Sequence, residues 1–259
     1  MATTEKTETD LKPKFLTKVQ EFGCSNEKLA GNFFTAIDLA IKKSEADRAS
    51  NQYKANDPKI KWAVINFDDV LQKSIAYSNL GIDPLAKDML SFIFYKNKSL
   101  GYDITFVEGV KCMETLARRY GINCPENITV ELIYSNDEFS LIKKDISNPE
   151  DGYILNIKTP FDRGSIVGGV SLSEYKNTKY NKSRLMTRKD ILKRTKETTA
   201  FFKNWEEEMC EKTVGKNAWG KVVLNTTQLA EYYASISSDK EEFEPENTEE
   251  LPFYPNAEL

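Results

Sequence analysis

The chain has 259 residues, of which 40% are hydrophobic and 29% charged, with a formal net charge of -4, and this length suits one large domain. No stretch approaches the roughly 20 consecutive apolar residues that span a bilayer, and residues 1–10 lack the basic start and apolar run of a secretory signal. The absence of histidine and of any Cys-x-x-Cys pair among the four cysteines argues against a zinc site and removes the usual catalytic base.

The first part of the chain is predicted to be a mobile segment followed by helices. Residues 1–25 are polar, which predicts mobility, whereas apolar side chains recur at helical spacing over residues 29–44. Within that helix, Phe33, Phe34 and Ile37 are candidates either for core packing or for a subunit contact. A second helix is predicted to be capped by Asp68 and to end at Gly81, since glycine readily adopts the left-handed conformation.

The middle of the chain alternates between strand-like and helix-like patterns. Two β-branched and aromatic runs, at 90–95 and 102–107, predict a hairpin with a basic tip, and a helix follows at 109–120. Further strands are predicted at 128–134, 139–143, 153–157 and 165–171, and helices at 187–195 and 205–214. This order predicts an α+β fold, in which an antiparallel β-sheet or meander is flanked by helices within a folded core of residues 26–225.

The charges are unevenly distributed. Residues 176–196 carry nine basic side chains and one acid, a net charge of +8, whereas residues 239–259 carry eight acids and one base, a net charge of -7. The rest of the chain without that tail has a charge of +3. The basic segment indicates either a phosphate-binding surface or a solvated charged face. Residues 226–259 are predicted to be an acidic, disordered tail that competes with DNA, docks a basic partner or serves solubility.

Four short motifs follow one another along the chain. They are NLGIDPLAKD at 79–88, FYKNK at 94–98 with VEGV at 107–110 and LARRYG at 116–121, MTRKDIL at 186–192, and Trp205 followed by EMCEKT at 208–213. In this order they resemble the RecT family of phage single-strand annealing proteins, to which lambda Red beta is distantly related. The likeness covers residues 60–221. Two departures are the acid Glu108 in VEGV and a reduced basic cluster after EMCEKT, where only Lys216 and Lys221 stand.

The resemblance implies an ATP-independent protein of homologous recombination that is not an enzyme and needs no cofactor. It would bind single-stranded DNA and the annealed duplex and assemble with itself into rings or helical filaments. Its implied partners are a cognate 5'-to-3' exonuclease and a host single-strand-binding protein, with no membrane. The expected location is the cytoplasm of a bacterial host, with the gene carried by a phage or prophage.

Basic side chains are the candidate DNA contacts, because annealing requires the backbone to be held while the base edges stay free. Lys212 and Lys216 are predicted to hold adjacent phosphates, and the hairpin tip, the 109–120 helix and the last helix could line one groove. The alternatives are an ordinary polar turn for Lys96 and Lys98 and a salt bridge for Arg118 or Arg119. The full candidate set is Lys96, Lys98, Lys111, Arg118, Arg119, Lys176, Lys179, Lys182, Arg184, Arg188, Lys193, Lys212, Lys216 and Lys221.

Two other functions remain open on the residues alone. The first is a sequence-blind coating protein that binds single strands without annealing them. The second is a magnesium-dependent nuclease built on Asp83, Asp88 and Glu108, although turn and capping roles explain these acids more simply. Among the aromatic residues, Trp205 is predicted to anchor the core rather than to stack on bases, and strand tyrosines Tyr95 and Tyr102 are predicted to be core.

Overall fold

The computed structural model of the chain describes residues 11–50, 58–97, 101–194, 202, 204–227 and 229–230. Helices and antiparallel strands are mixed along the sequence, which confirms the predicted α+β class. The helices are α1 (Leu11–Glu21), α2 (Glu27–Ser50), α3 (Phe67–Asn79), α4 (Val110–Tyr120), α5 (Arg188–Leu192) and α6 (Glu206–Trp219). The strands are β1 (Leu90–Lys96), β2 (Tyr102–Glu108), β3 (Asn127–Tyr134), β4 (Glu138–Ile142), β5 (Gly152–Asn156), β6 (Ile166–Glu174) and β7 (Lys182–Thr187).

The first hydrophobic core joins α1 to α4 with the β1–β2 hairpin. Aromatic rings dominate it: the Phe33 ring stacks on Phe106, with centroids 5.9 Å apart, and Phe34 stacks on Trp62 at 4.7 Å. Such pairs add to the free energy gained by burying apolar area. Phe33, Phe34 and Ile37 are all buried here, so core packing, and not a subunit contact, accounts for them.

The second core lies between α5, α6 and a three-stranded sheet in the order β3-β6-β7. Helix α6 packs closely on the sheet because Gly169 of β6 has no side chain. A Cβ at Gly169 would lie 2.7 Å from the Cγ2 of Val214 on α6. The separate β4–β5 hairpin completes the antiparallel strands, and β7 forms one edge of the β3-β6-β7 sheet.

The structure corrects the predicted boundaries at both ends of the core. Residues 11–21, which were expected to be mobile, form α1, and Phe15 and Val19 are fully buried against the first core. Three lysines interspersed in this helix make its short apolar stripe difficult to recognise in the sequence. Leu229, which was assigned to the tail, is also buried in the first core. Residues 1–10 and 231–259 lie outside the described part of the chain.

Two local predictions are also corrected. Asn66, not Asp68, caps α3, because its extended backbone lets the side-chain oxygen accept the Asp69 N–H at 3.3 Å. Gly81 does follow the helix in the left-handed conformation, with φ of 71°. Strand β7 was not predicted at all, since its two buried residues, Ser183 and Met186, lie three positions apart and so give no strand-like alternation. In the part of the chain that the structure describes, no helix has the length and hydropathy needed to cross a membrane.

Candidate nucleic-acid interface

Some candidate basic residues pair with an acid, whereas others have no carboxylate partner among the residues that the structure describes. Lys111 and Arg118 both pair with Glu114 on α4, Arg188 pairs with Glu206, and Lys193 lies 3.7 Å from Asp190. Ion pairs at such exposed positions contribute little free energy to folding. They do reduce the positive charge that these side chains present to a phosphate.

Lys212 is held by a more specific geometry. Its Nζ lies 2.7 Å from Oδ1 of Asp88, and this hydrogen bond holds the pKa of Asp88 below its usual value. Asp88 has a φ of 58°, and its carbonyl accepts the N–H of Lys111. Gly109 is required beside it, because a Cβ there would lie 1.9 Å from the Asp88 carbonyl oxygen. Lys212 therefore joins α6 to the loop before β1.

Arg118 and Arg119 act mainly as structural residues. The guanidinium of Arg118 bonds the carbonyl of Glu126 and lies over the ring of Trp219, with 5.3 Å between its Cζ and the ring centroid. The guanidinium of Arg119 donates to the carbonyls of Leu80 and Gly81, where α3 ends. The two arginines thus tie α4 to neighbouring elements. The salt bridge expected for one of them is the pair of Arg118 with Glu114 within α4.

A second group of candidates has no carboxylate partner within the described residues. Its members are Lys176, Lys179, Lys182, Arg184, Lys216 and Lys221. Three of these lie on β7 or α6, and the others lie close to them in sequence. Because unpaired cations stay available for an anion, this group is the stronger candidate for phosphate contacts.

One cavity beside α6 is lined by several cations. It has a volume of about 300 Å³, and its lining includes Arg194, Lys216 and Lys221 but no acid. The side-chain oxygen of Asn217 accepts two hydrogen bonds from the Arg194 guanidinium, at 2.8 and 3.1 Å, which fixes that side chain at the cavity. Lys216 is half-buried. Burial lowers its pKa, and nearby Lys212 lowers it further, while Glu108 and Cys112 oppose the effect.

The cations of β7 lie on the same side of α6 as this cavity. Lys182 and Arg184 share one face of the strand with buried Met186, which packs with α6 in the second core. Two residues on one face of α6 contact the segment that follows β7: Glu206 pairs with Arg188, and Asn217 accepts hydrogen bonds from Arg194. We call Lys182, Arg184, Arg194, Lys216 and Lys221 together the β7–α6 surface.

The remaining candidates occupy other places: of the three elements predicted to line one groove, α4 and α6 share one, and the β1–β2 hairpin lines another. Lys96 lines a groove of about 720 Å³ between α2 and β1, whereas Lys111 and Lys212 line one of about 550 Å³ together with Glu114 and Glu211. Lys176 and Lys182 line a third cavity near the β6–β7 connection, and Lys179 lies in the short 3-10 helix of that connection. Lys98 lies outside the described residues.

The three acids of the nuclease alternative take separate roles. Asp83 accepts the Leu85 N–H in a turn and also the side chain of Asn32, and Asp88 pairs with Lys212. Glu108 accepts the hydroxyl of Tyr77 at 3.0 Å. Over the described ranges, no three acids or cysteines are grouped so that they could hold a metal ion.

The aromatic predictions were partly wrong. Trp205 is 51% exposed, because it precedes the first turn of α6 with non-helical backbone angles and so is not on the buried side of the helix. Trp62 and Trp219 are buried instead. Tyr102 is core as predicted, and its hydroxyl donates to the Pro58 carbonyl, whereas Tyr95 remains exposed.

Sequence reasoning missed Arg194 as a site residue. It was counted in the basic segment, but only its contact with Asn217 places it beside Lys216 and Lys221. Its position two residues beyond the short α5 carried no periodic signal. Lys144, which shares a cavity with Lys176 and Lys182, was missed for the same reason.

Comparison with known protein families gives a match to this chain. A sequence model of the RecT family matches residues 46–250, which is most of the chain and includes every candidate basic residue. No curated protein matches the sequence.

Proposed function

The chain belongs to the RecT family, and on that premise we propose that it binds single-stranded DNA and accelerates pairing with a complementary strand. Proteins of this family are annealing proteins and are generally not enzymes. The proposed reaction therefore consumes no nucleotide and cleaves no strand. It serves homologous recombination, with a 5'-to-3' exonuclease supplying single strands and a host single-strand-binding protein as a further partner.

The observation that carries the proposal, beside the family match, is the β7–α6 surface. Its five cations have no carboxylate partner among the described residues, although acids outnumber bases in the whole chain, 40 to 36. A cation that replaces a counterion on a phosphate releases it into solution, and this entropy gain drives sequence-independent binding. We therefore assign the phosphate contacts mainly to this surface.

Phosphate contacts of this kind suit annealing. Lysine and arginine side chains read no base sequence when they bind phosphate oxygens, so any strand can be held. The Watson–Crick edges of the bases remain free to test a complement. The paired residues Arg118, Arg119 and Arg188 hold the elements that position this surface and are assigned a supporting role.

Self-association would strengthen such binding. A few phosphate contacts per subunit give modest affinity, and a row of linked subunits multiplies it through effective concentration. The groove between α2 and β1 supports this part of the proposal, because it exposes the apolar side chains of Leu39, Leu85 and Ile93.

Pairing of two complementary, dye-labelled oligonucleotides, with and without the purified protein and with no nucleotide added, tests the proposal. Acceleration without shortening of either strand supports annealing. Binding without acceleration would leave a coating protein, and the absence of binding would overturn the assignment.

A variant with Lys182→Ala, Arg184→Ala and Lys221→Ala should anneal more slowly. Its control is a triple variant of Lys18→Ala, Lys42→Ala and Lys158→Ala, which removes three cations from elsewhere that pair with acids.

A further inference from the structure

The third of these cavities, distinct from the one beside α6, combines an exposed tyrosine, Tyr180, and a partly buried one, Tyr175, with cations. It has a volume of about 600 Å³ and lies where β6 connects to β7. Its lining includes Tyr175, Tyr180, Lys144, Lys176 and Lys182. Glu126 is its acidic residue, and the backbone carbonyl of Glu126 is bonded by Arg118.

The backbone around this cavity is held in place by its own hydrogen bonds. The Tyr175 N–H donates to the Asn181 side chain and the Tyr180 N–H to the Asn177 carbonyl, both at 2.9 Å. Between them, the hydroxyl of Thr178 bonds the carboxylate of Glu150. The 175–181 segment therefore holds its shape without a ligand, which reduces the entropy cost of binding one.

Buried Asp151 brings two of the cations together. One of its oxygens accepts the Lys144 N–H at 2.9 Å, and the other accepts the Ser183 N–H at 3.2 Å and the Lys143 ammonium at 3.1 Å. The backbone of Lys144 is thereby fixed beside the start of β7, where Lys182 lies. Two cations from segments far apart in sequence thus line one wall.

Tyr180 has no structural role that the fold requires. Its side chain is 66% exposed, and within the described residues it makes neither a hydrogen bond nor a ring contact. The exposed aromatic ring lies in water beside three lysines. Covering the ring with a flat apolar ligand would remove its apolar surface from water, which is favourable in free energy.

We propose that this cavity binds a nucleobase of single-stranded DNA, with the base stacked on the ring of Tyr180 and the flanking phosphates contacting Lys144, Lys176 and Lys182. The inference rests on the proposed function and deepens it. Stacking uses the π face of the base, so it tolerates any sequence and leaves the Watson–Crick edge free for the complement. Lys182 belongs both to this cavity and to the β7–α6 surface, and so joins the two sites along one strand path.

Binding of a short thymidine oligonucleotide is compared with binding of an abasic oligonucleotide that has the same phosphates. The wild-type protein should bind the intact oligonucleotide about tenfold more tightly, since stacking on an aromatic side chain is worth that much per base. Tyr180→Leu should remove most of this preference, and Tyr180→Phe, which keeps the ring, should retain it. Equal binding of both oligonucleotides by the wild-type protein would overturn the stacking site but leave the proposed function standing. Failure to bind either would overturn the proposed function itself.

Cys124 gives an independent measure of where the strand lies. It lines the same cavity and is partly exposed, whereas Cys24, Cys112 and Cys210 are buried. Iodoacetamide should therefore alkylate Cys124 first, and a bound thymidine oligonucleotide should slow that reaction severalfold. An alkylation rate that DNA leaves unchanged would contradict occupation of this cavity, since the thiol would be as accessible as before.

Discussion

Lys216 lies where binding of an anion and stability of the fold would make opposite demands on one side chain. It is a half-buried cation without a carboxylate partner in the described structure, and its lowered pKa reports the cost of removing its charge from water. A side chain placed for packing alone would carry no charge here. The position therefore fits a phosphate contact, in which the ligand supplies the missing negative charge.

We predict that Lys216→Met weakens binding of single-stranded DNA without lowering the melting temperature. The methionine keeps most of the apolar length but removes a poorly solvated charge, so the free energy of unfolding should stay equal or rise. The slope of log affinity against log salt should become shallower by about 0.7, the value for one phosphate contact on a single strand. Lys42→Met, on the exposed side of α2 and paired with Asp38, is the control and should change neither quantity.

The lowered pKa of Lys216 also predicts a pH dependence. The folded-state pKa lies below the ordinary value of 10.5, so Lys216 loses its proton at a lower pH in the folded protein than in the unfolded chain. Its contribution to stability is greatest above 10.5 and falls as pH drops through the lowered value. DNA affinity should move the opposite way, declining as pH rises through the lowered pKa of Lys216, below 10.5. Lys216→Arg, which stays charged, should decline less; parallel curves for the two proteins would refute the assignment.

Asp88 restrains Lys212, and its removal should release that cation. Asparagine tolerates the positive φ of this position, so Asp88→Asn should fold normally. We expect tighter binding of single strands and a salt slope steeper by about 0.7, because one more lysine becomes available. Glu138→Gln, which removes the exposed partner of Lys158, is the matched control. If the protein were instead a magnesium-dependent nuclease that uses Asp88, Asp88→Asn would lose strand cleavage.

At the scale of elements, the position of α6 depends on its close approach to β6. The helix supplies Lys216 and the Asn217 amide that holds Arg194, so any displacement from the sheet would disperse the cations of the cavity. Gly169 permits this approach, since its Cβ position is already filled by Val214. The absence of a side chain at Gly169 thus helps to position the cations that α6 carries in the β7–α6 surface.

We therefore expect Gly169→Ala to destabilise the protein by roughly 1–3 kcal/mol, the usual cost of adding a methyl group to a packed interior. Denaturant unfolding measures the change in free energy. Gly152→Ala on β5, where an added Cβ meets nothing within 4 Å, is the control and should be close to neutral. If the two variants had equal stability, α6 could not be packed on β6 as closely as the structure shows.

At the scale of the whole molecule, the net charge of -4 is the sum of a basic part, residues 1–238, and an acidic C-terminal segment. Residues 239–259 have a net charge of -7 and lie outside the described part of the chain, so their competition with DNA stays a prediction. Their attachment is short: eight residues lie between Ala230 and Asp239, a reach of about 30 Å when extended. This reach supports access of the acids to the protein's own basic surfaces.

Deletion of residues 239–259 should raise affinity for single-stranded DNA, most strongly at low salt, where charge interactions are least screened. The melting temperature should not change if the segment makes no essential packing contact. A full-length variant with the eight acids replaced by their amides should behave in the same way, which separates charge from length. A lower melting temperature on deletion would show instead that the segment is part of the fold.

The sequence by itself determined the class of fold, most helices and strands, and the family. Periodicity and turn residues are local, so α3, the β1–β2 hairpin and α4 could be predicted with small errors at their ends. The end of α2 was placed at residue 44, six residues before its observed end at Ser50. The four motifs pointed to the family that the sequence model then matched over residues 46–250.

Only the tertiary structure decided which cations are available. Lys212 and Lys216 look equivalent in sequence, but one pairs with Asp88 and the other lies half-buried beside Arg194. The exposure of Trp205, the cavity at Tyr180 and the buried stripe of α1 could not be predicted from the sequence either. The physical reason is that ion pairing and burial depend on contacts between residues far apart in the chain, which no local pattern of residue types encodes.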